Sequence, residues 1–320
     1  MAPGNFIISL DFELHWGVAE LWDVKDRRDY FLNTRQSIPQ VLSLFQNYGI
    51  NATWATVGFL FAKDKAQLLE FAPTLRPTYA NPELSYYRLM DNGEVGDDEH
   101  SDPFHYAPSL ISQIVSTPGQ ELGTHTFSHY YCREKGQDLA QFEADIKAAQ
   151  ALAGENYNCT LQSLVFPRNQ FNKDYLAVAR DNGIKVVRSN PDVWFWKFQV
   201  PGISVARALD TLMPISSSLA FGETRSIDGE PLSLPASRFL RPYVTSEKSI
   251  QGIKIRRIKN EMERAAKNKE NYHLWWHPHN FGYCTNENMG YLEELLRHFK
   301  SLQSKYGFQS RSMIEMYENK

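Results

Sequence analysis

Short apolar runs alternate along this chain with segments of helical periodicity, and no other feature of the sequence restricts the fold as strongly. The run NFIISLDF (residues 5–12) has the pattern of a buried strand, and the segment after it carries an apolar helical face that closes at Gly49. Strands that alternate with helices in this way are parallel, either in an open doubly wound sheet or in a closed barrel. Further strands are predicted at residues 51–61, 120–125, 163–167, 184–189 and 272–276, and further helices at residues 138–154, 172–183 and 287–308.

The chain is long for one domain, yet α/β barrels often have about this length. Its 320 residues show no internal repeat and no linker-like change of composition, so we expect a single domain over residues 1–320. Two stretches interrupt the alternation, at about residues 76–118 and 189–245, and both are rich in proline, glycine and aromatic residues. Irregular segments of this length are usually functional, so we expect them to be lids or walls of a binding site.

The composition excludes several classes of partner. A net charge of −3 provides no basic face for nucleic acid or an anionic membrane, and no apolar run reaches the roughly 18 residues of a membrane-spanning helix. The three cysteines form no CxxC pair, and the first residues lack the basic segment of a signal peptide. We therefore expect a cytoplasmic protein with a neutral or mixed-charge partner, and the sequence leaves its oligomeric state open.

Polar side chains stand at the ends of four predicted strands. Asp11 ends the first strand, His129 follows the run QELGTH, Arg168 follows SLVFP, and His277 follows YHLWW. In parallel α/β folds the chemistry collects at the carboxyl ends of the strands. We therefore expect these four side chains to share one pocket.

The first strand ends with two acidic residues, Asp11 and Glu13. Side chains two positions apart face the same side of a strand, so both carboxylates would meet one surface. That arrangement is costly unless a cation or a shared proton relieves the repulsion. The alternative is a strand that runs out into solvent, which predicts no partner for the two acids elsewhere in the chain.

Two histidines offer such a partner, because His125 and His129 are four positions apart and would lie on one face of a helical turn. This spacing alone is weak evidence, since histidines also serve as hydrogen-bonded surface residues. The zincin motif is excluded because Thr126 stands where that motif needs glutamate. Two imidazoles and one carboxylate suit zinc or a similar metal and leave positions open for water. We predict Glu13, His125 and His129 as the metal ligands and Asp11 as the general base.

Two further residues would complete a hydrolytic site. His277 follows an aromatic strand and could protonate a leaving group, although His279 competes for that role and a histidine without chemical function is the alternative. An arginine near a catalytic carboxylate keeps it ionised. The position of Arg168 in the strand series favours it for this task over the default of a surface arginine.

The motifs resemble those of the polysaccharide deacetylase family, also called the NodB-homology family or carbohydrate esterase family four. The segments SLDFEL, THTFSH, FPRNQ, VVRSNPD and LWWHPH occur in the order and approximate spacing of that family, over residues 6 to about 282. The His-(Ser/Thr)-x-x-His motif is matched fully, whereas the first motif has Asp-x-Glu in place of two adjacent aspartates and the Arg-x-Pro-Tyr motif is altered. The chain is similar to cytoplasmic members associated with surface-polysaccharide synthesis, such as that of O-antigen or capsule.

The resemblance implies an α/β fold, a distorted (β/α)7 barrel with two long irregular insertions. It implies metal-dependent removal of an N-acetyl group from a sugar in a nucleotide-linked, lipid-linked or polysaccharide precursor. By similarity Asp11 is the base, Arg168 pairs with it and His277 is the acid, while the divalent metal ion is zinc, with iron, cobalt or nickel as alternatives. The residues expected to contact the substrate are Tyr130 through its backbone N–H, Trp194, Trp276 and His279.

Two other interpretations stay open. An amidohydrolase of the same fold could open a small cyclic amide, as an allantoinase does, and deep closure of the pocket by the insertions would favour it. A catalytically inactive relative that binds carbohydrate is the other. A glycosidase is disfavoured, because a shared strand face sets Asp11 and Glu13 too close to flank a glycosidic bond.

Overall fold

The computed structural model of the protein describes residues 2–191, 219–222, 224 and 229–318. Within these residues a parallel sheet forms the centre of the molecule and helices surround it. None of the described helices combines the length and apolar character needed to cross a membrane. The strands are β1 (Asn5–Phe12), β2 (Ala52–Thr56), β3 (Gln120–Thr124), β4 (Ser163–Leu164), β5 (Val186–Ser189), β6 (Leu232–Pro235), β7 (Arg238–Phe239), β8 (Tyr272–Trp276) and β9 (Gln309–Arg311). The helices are α1 (Val24–Tyr48), α2 (Lys65–Phe71), α3 (Tyr87–Asp91), α4 (Pro108–Ser116), α5 (Leu139–Tyr157), α6 (Lys173–Asp181), α7 (Lys248–Asn268), α8 (Thr285–Tyr306) and α9 (Glu315–Glu318).

One extended stretch closes the sheet into a ring. The strand order is β6-β5-β4-β3-β2-β1-β8-β7 with β9 beside β1, and every pair is parallel. β6 pairs with β5, and β7, two residues later, pairs with β8. Ala236 N donates to Ser189 O and Ser237 N donates to His273 O, each at 2.8 Å, so the chain changes partner between these residues. The ring therefore has seven strand positions, which are occupied by β1 to β5, the shared stretch and β8. This confirms the predicted barrel-like α/β fold.

β1 sorts its side chains between the two sides of the sheet with the strand period of two. Its even-numbered residues from Phe6 to Phe12 pack in the main apolar core with helix side chains, whereas Ile7 packs inside the ring with Val186 and others. Asp11 is on the same face as Ile7, at the carboxyl end. Apolar side chains therefore fill one end of the ring and polar side chains stand at the other.

Short 3₁₀ helices follow four strands at their carboxyl ends. Each tight turn changes the direction of the chain there, so the residues that flank it stay close to the ring opening. They are Leu14–Gly17 after β1, Gly58–Phe61 after β2, Pro167–Asn169 after β4 and Pro278–Phe281 after β8.

The helix ends test the sequence signals for termination. Gly49 and Gly307 follow α1 and α8 with φ of +59° and +71°, the left-handed conformation that glycine adopts at little cost. The predicted end of α5 at Gly154 is wrong. The helix continues to Tyr157 because Asn158, with φ of +50°, takes the left-handed position instead.

The two stretches predicted to be irregular contain regular structure. In the first, α4 begins at Pro108, a favoured first position of a helix, and buries Leu110, Ile111 and Ile114. In the second, β6 and β7 complete the ring. The prediction of loops at these places is wrong, because strands of four and two residues are too short to show alternation and proline-rich flanks obscure α4.

Candidate functional site

The predicted strand-end residues meet in one pocket at the carboxyl end of the ring. The cavity has a volume of about 470 Å³, and its lining includes Asp11, His129, Arg168 and His277. The aromatic rings of Trp22, Phe239 and Trp275 form part of its wall.

Glu13, His125 and His129 converge inside this pocket near enough to hold one metal ion. Glu13 Oε1 lies 3.0 Å from His125 Nε2 and 3.3 Å from His129 Nε2, and all three side chains are buried. Burial acts to raise the pKa of Glu13, but His277 first, and then the adjacent His125 and His129, outweigh it and hold the pKa well below its usual value. The group therefore offers an anionic oxygen and two ring nitrogens.

The second ring nitrogen of His125 shows that this donor set fits a cation. His125 Nδ1 lies 2.7 Å from Val165 O, and because a carbonyl oxygen only accepts, Nδ1 carries the proton. In the neutral ring Nε2 then turns a lone pair toward the carboxylate of Glu13, so two acceptors face each other. A cation between His125 Nε2 and the Glu13 carboxylate would bind both acceptors and remove their repulsion. One carboxylate and two imidazoles are ligands of zinc-like ions, and a carbonyl on the other ring nitrogen is a usual outer partner of such histidines.

The two histidines lie on a loop and not on the helical turn that their spacing predicts. Thr126 and His129 have φ of +66° and +58°, a region that β-branched residues such as threonine rarely occupy. Gly58 permits a close approach to this loop, because a Cβ at Gly58 would lie 2.6 Å from Phe127 Cδ2. The loop brings the two imidazole centroids to 5.0 Å. Loop conformation, and not helical periodicity, produces the ligand spacing.

Asp11 pairs with Arg188, and this contradicts the prediction that Arg168 makes the pair. Nη1 and Nη2 of Arg188 donate to Oδ1 and Oδ2 of Asp11, both at 2.7 Å, and both side chains are almost fully buried. Burial acts to raise the pKa of Asp11, but Arg188, followed by His125 and His277, outweighs it and lowers the pKa. The carboxylate of Asp11 is therefore held in its ionised form.

Arg168 lies at the pocket mouth and pairs with other acids. Its Nη2 is 2.7 Å from Glu20 Oε1, its Nη1 is 3.2 Å from Glu134 Oε1, and its side chain is 38% exposed. The guanidinium lies over the ring of Tyr131, with Cζ 4.1 Å from the centroid. Arg168 has φ of +54°, in the turn after β4, so it does not continue the strand direction toward Asp11.

His277 and His279 both approach the carboxylates, and their exposure distinguishes them. His277 Nε2 lies 3.7 Å from Asp11 Oδ2 and 3.7 Å from Glu13 Oε1, and 25% of its side chain is exposed. His279 Nδ1 lies 3.8 Å from Glu13 Oε2, and burial, together with His277, lowers its pKa to about 3. The exposed ring can reach a substrate, which favours His277 as the proton donor.

The prediction that Trp276 contacts the substrate is wrong, because this side chain faces the helices. Trp276 is fully buried and stacks on Phe281 with centroids 6.0 Å apart. The preceding residue, Trp275, lines the pocket, and its ring centroid is 4.1 Å from Arg188 Cζ. The predicted contact Trp194 lies outside the described residues.

Tyr130 does not supply the predicted backbone donor. Its N–H donates to Thr126 Oγ1 at 2.6 Å, and its ring is fully buried. The next residue, Tyr131, lines the pocket, but its N–H donates to Tyr79 Oη at 2.8 Å. Both amides are therefore engaged in holding the loop.

Arg188 and Trp275 are the site residues that sequence reasoning missed, and the strand period would have found both. Arg188 is two positions after Val186, which packs inside the ring, so the two share a face. Trp275 is two positions before His277 and shares its face in the same way. The motif order had favoured Arg168 and Trp276 instead. Arg168 follows β4, the strand next to the one that carries Arg188, and Trp276 is the residue after Trp275.

A second cavity of about 640 Å³ adjoins this pocket, and Trp22 lines both. His15 Nδ1 lies 2.8 Å from His105 Nε2, and His105 Nδ1 lies 2.7 Å from Asp102 Oδ2. Burial, followed by the charge of His105, lowers the pKa of His15 to about 4. This network joins the first insertion to the segment after β1, which carries Glu13.

Comparisons with known proteins add a family match and a set of structural likenesses. Residues 26–187 match the family model described as polysaccharide deacetylase, a range that includes His125, His129 and Arg168 but ends before Arg188. A crystal structure from Mycobacterium smegmatis, described as a polysaccharide deacetylase, has a TM-score of 0.62 at 12% identity, covering 100% of this chain and 93% of that chain. The Puue allantoinase has a TM-score of 0.56 at 11% identity, covering 98% and 88%. A Pseudomonas aeruginosa PAO1 protein, described as a polysaccharide deacetylase, has a TM-score of 0.52 at 11% identity, covering 93% and 84%. The comparison with curated proteins finds no match.

Proposed function

The chain belongs to the polysaccharide deacetylase family, and from this premise we propose that it removes an N-acetyl group from a sugar in a metal-dependent reaction. The observation that carries the proposal is the convergence of three kinds of group in one pocket. These are the ligand set Glu13, His125 and His129, the buried pair of Asp11 with Arg188, and the partly exposed His277. Each kind of group corresponds to one requirement of amide hydrolysis.

The side chains divide the reaction between them. Asp11 is ionised, so it can take the proton from the attacking water, and Arg188 keeps it in that form and fixes its orientation. His277, at the exposed side of the pocket, gives a proton to the departing amine. A divalent ion would be held by Glu13, His125 and His129, and when bound it would supply Lewis acidity toward the amide carbonyl and activation of water. Zinc is our first choice of ion, with iron, cobalt or nickel as alternatives.

The substrate in this proposal is an N-acetylated sugar or a glycan precursor. Trp22, Phe239 and Trp275 present aromatic surface at the pocket wall, on which the apolar face of a sugar ring can pack. We further propose that the protein acts as a single domain in the cytoplasm on precursors of a surface polysaccharide. The absence of any disulfide among Cys132, Cys159 and Cys284 supports a reducing compartment.

Acetate release tests the reaction directly. The purified protein, loaded with zinc, is incubated with N-acetylglucosamine oligomers, with UDP-N-acetylglucosamine and, separately, with allantoin, and products are measured by mass spectrometry. We expect one sugar substrate to lose an acetyl group and a chelator to stop the reaction. Hydrolysis of allantoin alone would favour the amidohydrolase interpretation, and binding of glycan without turnover would favour an inactive relative.

The ligand set predicts the metal content of two variants. Glu13→Gln replaces the anionic ligand with a neutral amide, so we expect the zinc content after purification to fall from about one equivalent to a small fraction of it. Glu20→Gln is the matched control, because Glu20 is a nearby acid that accepts hydrogen bonds from Tyr131 and Arg168 and lies outside the ligand set. Plasma mass spectrometry measures both. Equal zinc in the Glu13 variant and the wild type would contradict the assignment.

A further inference from the structure

Two backbone amides between the candidate ligands point at a single buried carboxylate. Phe127 N donates to Asp145 Oδ1 at 2.6 Å, and Ser128 N donates to Asp145 Oδ2 at 3.0 Å. The hydroxyl of Ser128 also donates to Oδ2. Asp145 belongs to α5, 16 residues beyond His129, and is 1% exposed. The acid therefore binds the middle of the loop whose two ends are His125 and His129.

This loop needs support from its surroundings. Its two residues with left-handed backbone, Thr126 and His129, are strained, and such residues persist only where neighbouring groups fix the backbone. The loop carbonyls are held from one side, since Gly58 N donates to Thr126 O at 2.9 Å and Phe59 N donates to Phe127 O at 3.0 Å. Among the described side chains, Asp145 is the acceptor for the amides on the other side.

We propose that Asp145 is a positioning residue for the metal centre, which holds His125 and His129 at the separation that lets both face Glu13. The inference rests on the proposed function in one respect, namely that these two histidines bind a metal ion. Asp145 touches neither the ion site nor the substrate pocket, and it acts through the backbone of Phe127 and Ser128.

The variant Asp145→Asn tests this proposal with cobalt(II) as the probe. Asparagine has the shape of aspartate, but its NH₂ group would face one of the two amide donors, so one hydrogen bond becomes a repulsive contact. We expect the affinity for cobalt(II), followed by its visible absorption, to fall by roughly 10- to 100-fold, as for loss of outer partners of other metal sites. We also expect the absorption spectrum to change, since the ligand geometry changes.

Glu121→Gln is the matched control. Glu121 is another acid that accepts from a backbone amide, although it is only partly buried: Ile314 N donates to it at 3.1 Å and Thr53 Oγ1 at 2.6 Å. Burial raises the pKa of both acids, to about 6 for Asp145. Glu121 is the second residue of β3, at the other end of the ring from the pocket, so its replacement should lower the melting temperature and leave the cobalt(II) affinity and spectrum unchanged.

Each outcome decides the proposal. Wild-type affinity in Asp145→Asn, or an equal loss of affinity in Glu121→Gln, would overturn it. If Asp145→Asn does not fold, Ser128→Ala takes its place, because it removes the hydroxyl donor to Asp145 and keeps both amides; we expect a smaller loss of affinity, and no loss would overturn the proposal. Cobalt(II) binding that depends on Asp145 in a protein that releases no acetate would refute the proposed reaction and leave this inference standing.

Discussion

Replacing Asp11 with asparagine is expected to lower kcat for N-acetyl hydrolysis by roughly 10²- to 10⁴-fold, the range that a positioned general base contributes. Asparagine keeps the shape of the side chain but cannot take a proton from water. The ligands that we propose are Glu13, His125 and His129, so the zinc content of the folded variant should stay at the wild-type level; loss of zinc would instead favour Asp11, Glu13 and His277, a second group near enough to hold an ion. Acetate release per zinc-loaded protein is the measurement.

A second variant separates this chemical effect from a loss of stability. Asp11→Asn leaves the guanidinium of Arg188 buried without its carboxylate, and breaking a buried ion pair in this way costs about 3–5 kcal/mol. The double variant Asp11→Asn/Arg188→Met removes both charges, so it should recover much of the stability and none of the activity. Activity that returns with stability would refute Asp11 as the base.

Replacing Arg188 with methionine is expected to destabilise the protein by about 3–5 kcal/mol at neutral pH, because an unpaired carboxylate is left in the ring. In the wild type the pKa of Asp11 lies below its usual value, so its ion pair contributes stability above the unfolded pKa of 3.8 and loses it as the pH falls through the folded value. Without Arg188, burial dominates and the pKa of Asp11 rises. The difference in unfolding free energy between the wild type and the variant should therefore be largest at neutral pH. It should become smaller in acid, where Asp11 of the variant takes up a proton.

Urea unfolding at neutral and mildly acidic pH measures this effect. In the same variant, the acid limb of the pH profile of kcat should move to higher pH, because the pKa of Asp11 is higher. Arg168→Met is the control, since that arginine is 38% exposed and its ion pairs should contribute less than about 1 kcal/mol. A deficit in the Arg168 variant that matches the Arg188 variant would contradict the assignment of Arg188 to Asp11.

The sequence predicts the barrel because the signals for it are local. Buried strands such as residues 5–12 and helices that close at Gly49 or Gly307 can be recognised from a few neighbouring residues. The ends of parallel strands meet at one edge of the sheet, so a pocket that contains Asp11, His129, Arg168 and His277 also follows from order alone. The shared stretch that closes the ring does not follow, because its two short strands are defined by their partners.

The errors at the site have one physical origin. Motif spacing says which residues are near a strand end, but the direction of a side chain depends on the backbone conformation of that residue. Arg168 turns away with φ of +54° while Arg188, on a regular strand, points inward. Trp275 and Trp276 differ by one position and so face opposite sides of the sheet. Counting the strand period outward from residues known to be inside the ring would correct both.

The way the ring closes has a consequence for how such a protein can change. The candidate metal ligands follow β1 and β3, two strands that are joined through β2. Arg188 lies on β5 and His277 follows β8, and these two strands are joined through Leu232–Phe239. A slip of one residue in that stretch would exchange its own inward and outward side chains, and it would disturb its pairing partners β5 and β8 before it reached the strands next to the histidine pair. Substitutions at the seam should therefore affect proton transfer more strongly than the choice of ion, so the first property can change in evolution with less effect on the second.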